Sequence, residues 1–204
     1  MKWNGVLTAV ACASLAALAT AQIRGDAQRT RMHQDPAGGV TPTVGDSGSA
    51  ICFGDGTGAK CGGGTFGALG HGCENSLLNG GAIFRAHGMP KISDDSLELD
   101  ASSLPFSTTA IYLQASKLAN GGAGYTFGDG VMCLGGSVRM IATKRTFDGY
   151  TTFPMFGDPP IHIAGKVSML EPTQYYQVMY RDTAILGRQE THNLTNAWQV
   201  VWAP

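Results

Sequence analysis

The sequence predicts an all-β chain: an antiparallel β-sandwich, Ig-like or jelly-roll-like, with a disulfide-stapled, Gly-rich N-terminal segment. Three observations lead there. Apolar and polar residues alternate in several short runs, the period of a half-buried strand. Gly- and Pro-bearing turn signals separate those runs. Three cysteines fall inside the densest cluster of glycines.

The clearest strand is Ser96 to Ala101, where Leu97 and Leu99 point one way and Glu98 and Asp100 the other. Tyr176, Val178 and Tyr180 alternate with Gln177, Met179 and Arg181. Trp198, Val200 and Trp202 alternate near the C-terminus. Shorter candidates are Ala82 to His87, Thr109 to Ala115, Ser137 to Thr143, Thr151 to Met155 and Ile161 to Val167. Asn120-Gly121-Gly122, Asp148-Gly149 and Asp158-Pro159-Pro160 supply turns between them. No amphipathic helix of three turns is visible, and many short strands with Gly/Pro turns read as a sandwich or barrel.

Composition agrees. Charged residues make up 14% of the chain, against about 25% in ordinary soluble domains. The 29 glycines are about twice the usual share. Hydrophobic residues, at 43%, suffice for a core and argue against disorder. A net charge of -1 leaves no basic surface for non-specific nucleic-acid binding.

Residues 1–21 read as a signal peptide. Lys2 gives the positive start, Val6 to Leu18 an uncharged apolar run, and Ala19-Thr20-Ala21 the small residues before a cut at Gln22. The run is short for a membrane span, which needs about 20 residues, so no span is expected after processing. An uncleaved anchor and lipidation at Cys12 are rival readings. For the second, the hydrophobic stretch before Cys12 is very short. Residues 22–49 read as a flexible polar tail with Pro36 and Pro42, and residues 50–204 as a single β domain.

Cleavage removes Cys12 and leaves Cys52, Cys61, Cys73 and Cys133. Four cysteines in an exported chain favour two disulfides, and three connectivities are open. Eleven glycines lie between Gly54 and Gly81. Ordering them costs much entropy, which cross-links offset by restricting the unfolded chain. A zinc site fits poorly, because zinc ligands come in close pairs and these gaps are eight, eleven and fifty-nine residues.

Motifs that look chemical each have a plainer explanation. Phe53-Gly54-Asp55-Gly56 recurs as Phe127-Gly128-Asp129-Gly130 and in part as Phe156-Gly157-Asp158. Asp55, Asp129 and Asp158 are candidate calcium ligands, but one carboxylate per copy suits a turn better. Gly45-Asp46-Ser47-Gly48 echoes a serine-protease nucleophile loop, yet only His33 lies upstream in the mature chain. The histidines His33, His71, His87, His162 and His192 form no zincin pattern, and His162 reads as an outward-facing strand position. Gly62-Gly63-Gly64-Thr65-Phe66-Gly67 matches G-x-G-x-x-G without the strand and helix a dinucleotide site needs. Glu98 and Asp100 would lie about 7 Å apart on one strand face, a separation that suits glycoside hydrolysis and equally a solvated surface.

Three stretches carry a family likeness. They are Cys52-Phe53-Gly54-Asp55-Gly56-Thr57-Gly58 with Gly72-Cys73-Glu74-Asn75-Ser76; Phe127-Gly128-Asp129-Gly130 with Cys133; and Tyr175 to Asp182 with Asn193-Leu194-Thr195-Asn196. Together they resemble a cysteine- and glycine-rich module of unknown function in exported proteins of planctomycete-type bacteria, over about residues 50 to 204. The resemblance implies compartment and domain extent, and no chemistry. It also implies two further cysteines, near Gly63 and Gly187, that relatives pair. Both being lost here leaves the four remaining cysteines to pair among themselves. In a bacterial chain the sequon Asn193-Leu194-Thr195 closes a turn before the last strand.

The expected role is therefore a secreted or cell-surface, non-enzymatic domain. It would bind an extracellular ligand, a glycan or cell-envelope component, through loops and aromatics such as Tyr125, Phe127, Tyr150 and Phe153, although each of these reads first as a packed core aromatic. No cofactor is expected. The alternatives are a polysaccharide hydrolase using Glu98 and Asp100, and a structural subunit of an envelope assembly.

Overall fold

The computed structural model describes residues 45–182 and 192–204. The expected leader, residues 22–44 of the tail, and Gly187, which the resemblance pairs with Gly63, lie outside them. In chain order the strands are β1 (Ser49–Ile51), β2 (Ile83–His87), β3 (Glu98–Ser102), β4 (Thr109–Ala115), β5 (Lys117–Leu118), β6 (Tyr125–Phe127) and β7 (Gly130–Met132). There follow β8 (Leu134–Gly135), β9 (Arg139–Arg145), β10 (Thr151–Phe153), β11 (Thr173–Arg181), β12 (His192–Leu194) and β13 (Ala197–Val201), with one short helix, α1 (Ile161–Gly165), before β11.

The fold is all-β and antiparallel. A six-stranded sheet runs β1-β13-β11-β4-β9, with β12 also pairing β11, and a three-stranded sheet runs β10-β3-β2. Their inner faces meet in the main core. Phe84, Leu97, Leu99 and Phe153 come from the smaller sheet and its approach, and Tyr112, Tyr176, Val178, Tyr180, Trp198 and Val200 from the larger. The alternating runs thus bury the side that the period of two assigns to the core. Asn196 joins the two sheets. Its Oδ1 accepts from the Phe84 N–H at 2.8 Å and its Nδ2 donates to the Phe84 carbonyl at 3.0 Å. A buried carboxamide thereby pairs the free edge of β2 as a strand would.

The outer face of the large sheet is also covered. Leu113, Ala115, Met132, Leu134 and Leu194 pack there, and a second cluster holds Cys61, Cys73, Val131, Cys133 and Ala197. The disulfides are Cys52–Cys133 and Cys61–Cys73, separated by 81 and 12 residues. Glycine lets this layer lie against its neighbours. A Cβ on Gly72 would sit 2.1 Å from the Leu194 carbonyl oxygen, and one on Gly62 1.9 Å from that of Gly128.

Two expectations need correction. Residues 45–49, assigned to the tail, belong to the domain: Ser47 N–H donates to the Ala86 carbonyl at 2.8 Å, and Trp198 Nε1 donates to the Ser47 carbonyl at 2.8 Å. Ile161 to Val167 is not a strand. Residues 161–165 are helical, with Ile161 and Gly165 buried four apart while Ile163 is 57% exposed. Pro159-Pro160 sets the entry conformation. Asp95 Oδ2 caps the start, accepting from the His162 backbone N–H and facing His162 Nδ1, both at 2.9 Å. His162 is therefore pinned inward and stacks edge-on to Trp202, not turned out from a strand.

Candidate binding site

The residues singled out in the sequence are mostly held in local structure. Asp55 closes a turn: Oδ1 accepts from Thr57 N–H at 3.0 Å and Oδ2 from Gly70 N–H at 2.8 Å. The Asp129 backbone bonds His192 and Gly63. Asp158 accepts from Met155 N–H at 2.6 Å and from the Lys144 ammonium. Burial works against its charge, but these bonds outweigh it and hold the carboxyl below its ordinary range. Among the described residues no group of three or more His, Cys, Asp or Glu could hold a metal ion. Asp46 pairs with Arg85 at 3.1 Å, and the Ser47 hydroxyl donates to the Gly88 carbonyl.

The family-like motifs turn out to be architectural. Gln177 Nε2 donates to the Val131 and Thr195 carbonyls at 2.9 and 2.7 Å, and Oε1 accepts from Cys133 N–H at 3.0 Å. Asn193 Nδ2 donates to the Glu74 carbonyl at 2.9 Å. Gln177, Asn193, Thr195 and Asn196 are all buried. They bolt the glycine layer and the small sheet onto the large one, and the sequon asparagine lies in β12 and not at a surface turn.

Glu98 and Asp100 do share the outer face of the small sheet. His87 stands between them, Nε2 3.0 Å from Glu98 Oε2 and Nδ1 3.1 Å from Asp100 Oδ2. Tyr150 donates to Asp100 Oδ1 at 2.5 Å, and burial together with that bond pushes its hydroxyl pKa up. One imidazole, within 3.1 Å of both carboxylates, occupies the gap in which a glycosidase holds substrate and water. Of the aromatics expected to be ligand contacts, Tyr125, Phe127 and Tyr150 are exposed. Phe153 is not: it is a core residue, 1% exposed, facing the ring of Tyr112.

A different place gathers convergent polar groups. At the ends of β4 and β11, beside the C-terminus of α1, lies a polar pocket of about 150 Å³. Gln114, Gln174 and Gly165 form its floor, and Ser116, Ser137, Arg139, Lys166, Ser168 and Glu171 its rim. The floor is wired in one direction. Gln174 Nε2 donates to the Glu171 carbonyl at 2.7 Å. Gln174 Oε1 therefore accepts, from Gln114 Nε2 at 2.8 Å, and the same Nε2 donates to the Gly165 carbonyl at 3.2 Å. Both amide orientations are fixed by this relay. Gln114 Oε1 is left buried without a partner, in a residue only 4% exposed.

Local features shape the rim. The register of β4 against β9 slips between Tyr112 and Leu113, so Ile141 is passed over and Gln114 faces Arg139. Without that bulge Met140 would stand opposite Gln114. A bulge re-aims side chains in this way, here turning a guanidinium toward the pocket side. Lys166 follows α1 with φ 51° and ψ 49°, a left-handed conformation that costs a non-glycine residue about 1–2 kcal/mol. A Cβ on Gly165 would fall 1.8 Å from Gln114 Oε1, so only glycine leaves the Gln114 carboxamide its place in the floor.

No family model, curated protein or solved structure matches this chain.

The sequence held signals for part of this site. Pro159-Pro160 with Gly165 marks a short helix, and a glutamine at an inward strand position marks a buried polar group. Neither signal says that the two meet.

Proposed function

We propose that the chain is an exported, non-enzymatic domain that binds a hydroxyl-bearing extracellular ligand, a glycan or cell-envelope component, in the Gln114 pocket. The observation that carries this is Gln114 Oε1. A buried acceptor left unmatched costs about 1–3 kcal/mol; Oε1 is shut from solvent against Gly165 in this structure, and a ligand hydroxyl that draws the carboxamide toward the pocket supplies the missing hydrogen. Serine hydroxyls and charged groups around the rim suit a polar ligand. Two disulfides fit a protein of oxidising surroundings, and no helix among the described residues is long and apolar enough to cross a membrane. The resemblance to an exported bacterial module points to the same compartment. The closed Tyr150–Asp100–His87–Glu98 chain favours a structural role for those carboxylates over hydrolysis. The exposed edge strand β9 carries Arg139, Lys144 and Arg145, charges that oppose edge-to-edge assembly.

The test is a glycan array followed by calorimetry with wild type, Gly165→Ala and Ser137→Trp. Alanine drives the Gln114 carboxamide out of place, and tryptophan at the exposed rim blocks entry without touching the core. Wild type should capture carbohydrate, and both variants, folded by circular dichroism, should lose at least tenfold in affinity. Unchanged binding in both variants, or no carbohydrate captured by wild type, overturns the reading.

A further inference from the structure

We infer that the pocket takes an acidic sugar, a uronate residue of an anionic polysaccharide, with Arg139 and Lys166 on its carboxylate and Gln114 Oε1 accepting one of its hydroxyl hydrogens. This deepens the binding role proposed above and rests on it.

Four observations carry the inference. First, two cations and one anion, Arg139, Lys166 and Glu171, line the rim, and no ion pair joins any of them to a described residue. Their net positive charge is therefore unspent. Second, Arg139 stands on the pocket side only because of the bulge in β9. Guanidinium and carboxylate match in a two-pronged geometry. Third, Lys166 occupies a left-handed position that glycine fills at lower cost. Backbone strain kept at a rim residue is accounted for if its ammonium is used. Fourth, three serines, Ser116, Ser137 and Ser168, stand on the rim, hydroxyls that suit a sugar ring over a bare inorganic anion. A simple inorganic anion would satisfy the two cations but would offer no hydrogen to Gln114 Oε1. A neutral sugar would satisfy Gln114 and leave the cations unused. A uronate does both.

The experiment titrates the full chain with a glucuronate oligosaccharide, its neutral glucose counterpart, and sodium sulfate, by calorimetry at low and high salt. Wild type should bind the glucuronate at least tenfold tighter than the neutral sugar, and high salt should narrow that margin. Lys166→Gly should raise Tm, because it relieves the left-handed strain, while lowering glucuronate affinity severalfold and leaving neutral-sugar affinity unchanged. Arg139→Gln should lower glucuronate affinity alone. Equal affinity for acidic and neutral sugars overturns the inference and leaves the glycan-binding role standing. Sulfate competing as well as glucuronate also overturns it, since the site would then read charge without sugar. Failure of every sugar to bind overturns both readings.

Discussion

The Cys52–Cys133 bridge should contribute more to stability than Cys61–Cys73, and the loop lengths say by how much. Cross-linking removes closure entropy from the unfolded chain in proportion to the logarithm of the loop. Separations of 81 and 12 residues give about 4.5 and about 2.8 kcal/mol, a difference of about 1.7 kcal/mol. Both bridges touch the same cluster of Val131, Ala197 and the surrounding sulfurs, so the packing lost on removing either pair is similar and the entropy difference survives the comparison. The perturbation is the paired substitution Cys52→Ala with Cys133→Ala, set against Cys61→Ala with Cys73→Ala. The assay is equilibrium urea unfolding, where free energy falls linearly with denaturant. The longer-loop variant should be the less stable by 1 kcal/mol or more. The reverse order, or losses under about 1 kcal/mol for both pairs, would refute the view that cross-links offset the entropy of the glycine-rich segment.

Two further perturbations test how the layers are joined. Asn196→Ala leaves the buried Phe84 N–H and carbonyl without partners and should cost about 2–4 kcal/mol in urea unfolding; a loss below about 1 kcal/mol would show that the carboxamide is not the tie between the sheets. Asp158 has its carboxyl held below the usual value of 3.8, so its ionised form stabilises the native state at neutral pH. That contribution is fully present above the unfolded value and is lost as pH falls through the lower folded value. The stability gap between wild type and Asp158→Asn should therefore be constant at neutral pH and close only below about 3.8. A gap that closes well above that pH would contradict the bonding seen around Asp158.

Much of the architecture was legible in the chain because a strand with one buried face writes its period of two directly. Leu97 and Leu99, Tyr176 to Tyr180, and Trp198 to Trp202 all bury the side their alternation assigns. Gln177 marks the limit of that rule. The large sheet is covered on both faces, and a buried glutamine bonded to three backbone groups looks identical in sequence to an exposed one. The helix at residues 161–165 was missed because Ile-His-Ile imitates a strand, and the deciding partner, Asp95, lies 67 positions away in the chain. The pocket as an assembly was not legible, although Pro159-Pro160 and Gly165 mark the helix beside it. It depends on a one-residue slip in β9, on the absence of a Cβ at Gly165, and on an amide relay between β4 and β11. None of these leaves a local pattern.

The most direct test of the binding account is to map contacts by NMR while titrating the isotopically labelled protein with a glucuronate oligosaccharide. Saturable shifts should centre on Gln114, Arg139, Gly165, Lys166 and Gln174 and leave His87, Glu98, Asp100 and Tyr150 unmoved. Shifts concentrated on that second group, or none that saturate, would contradict it.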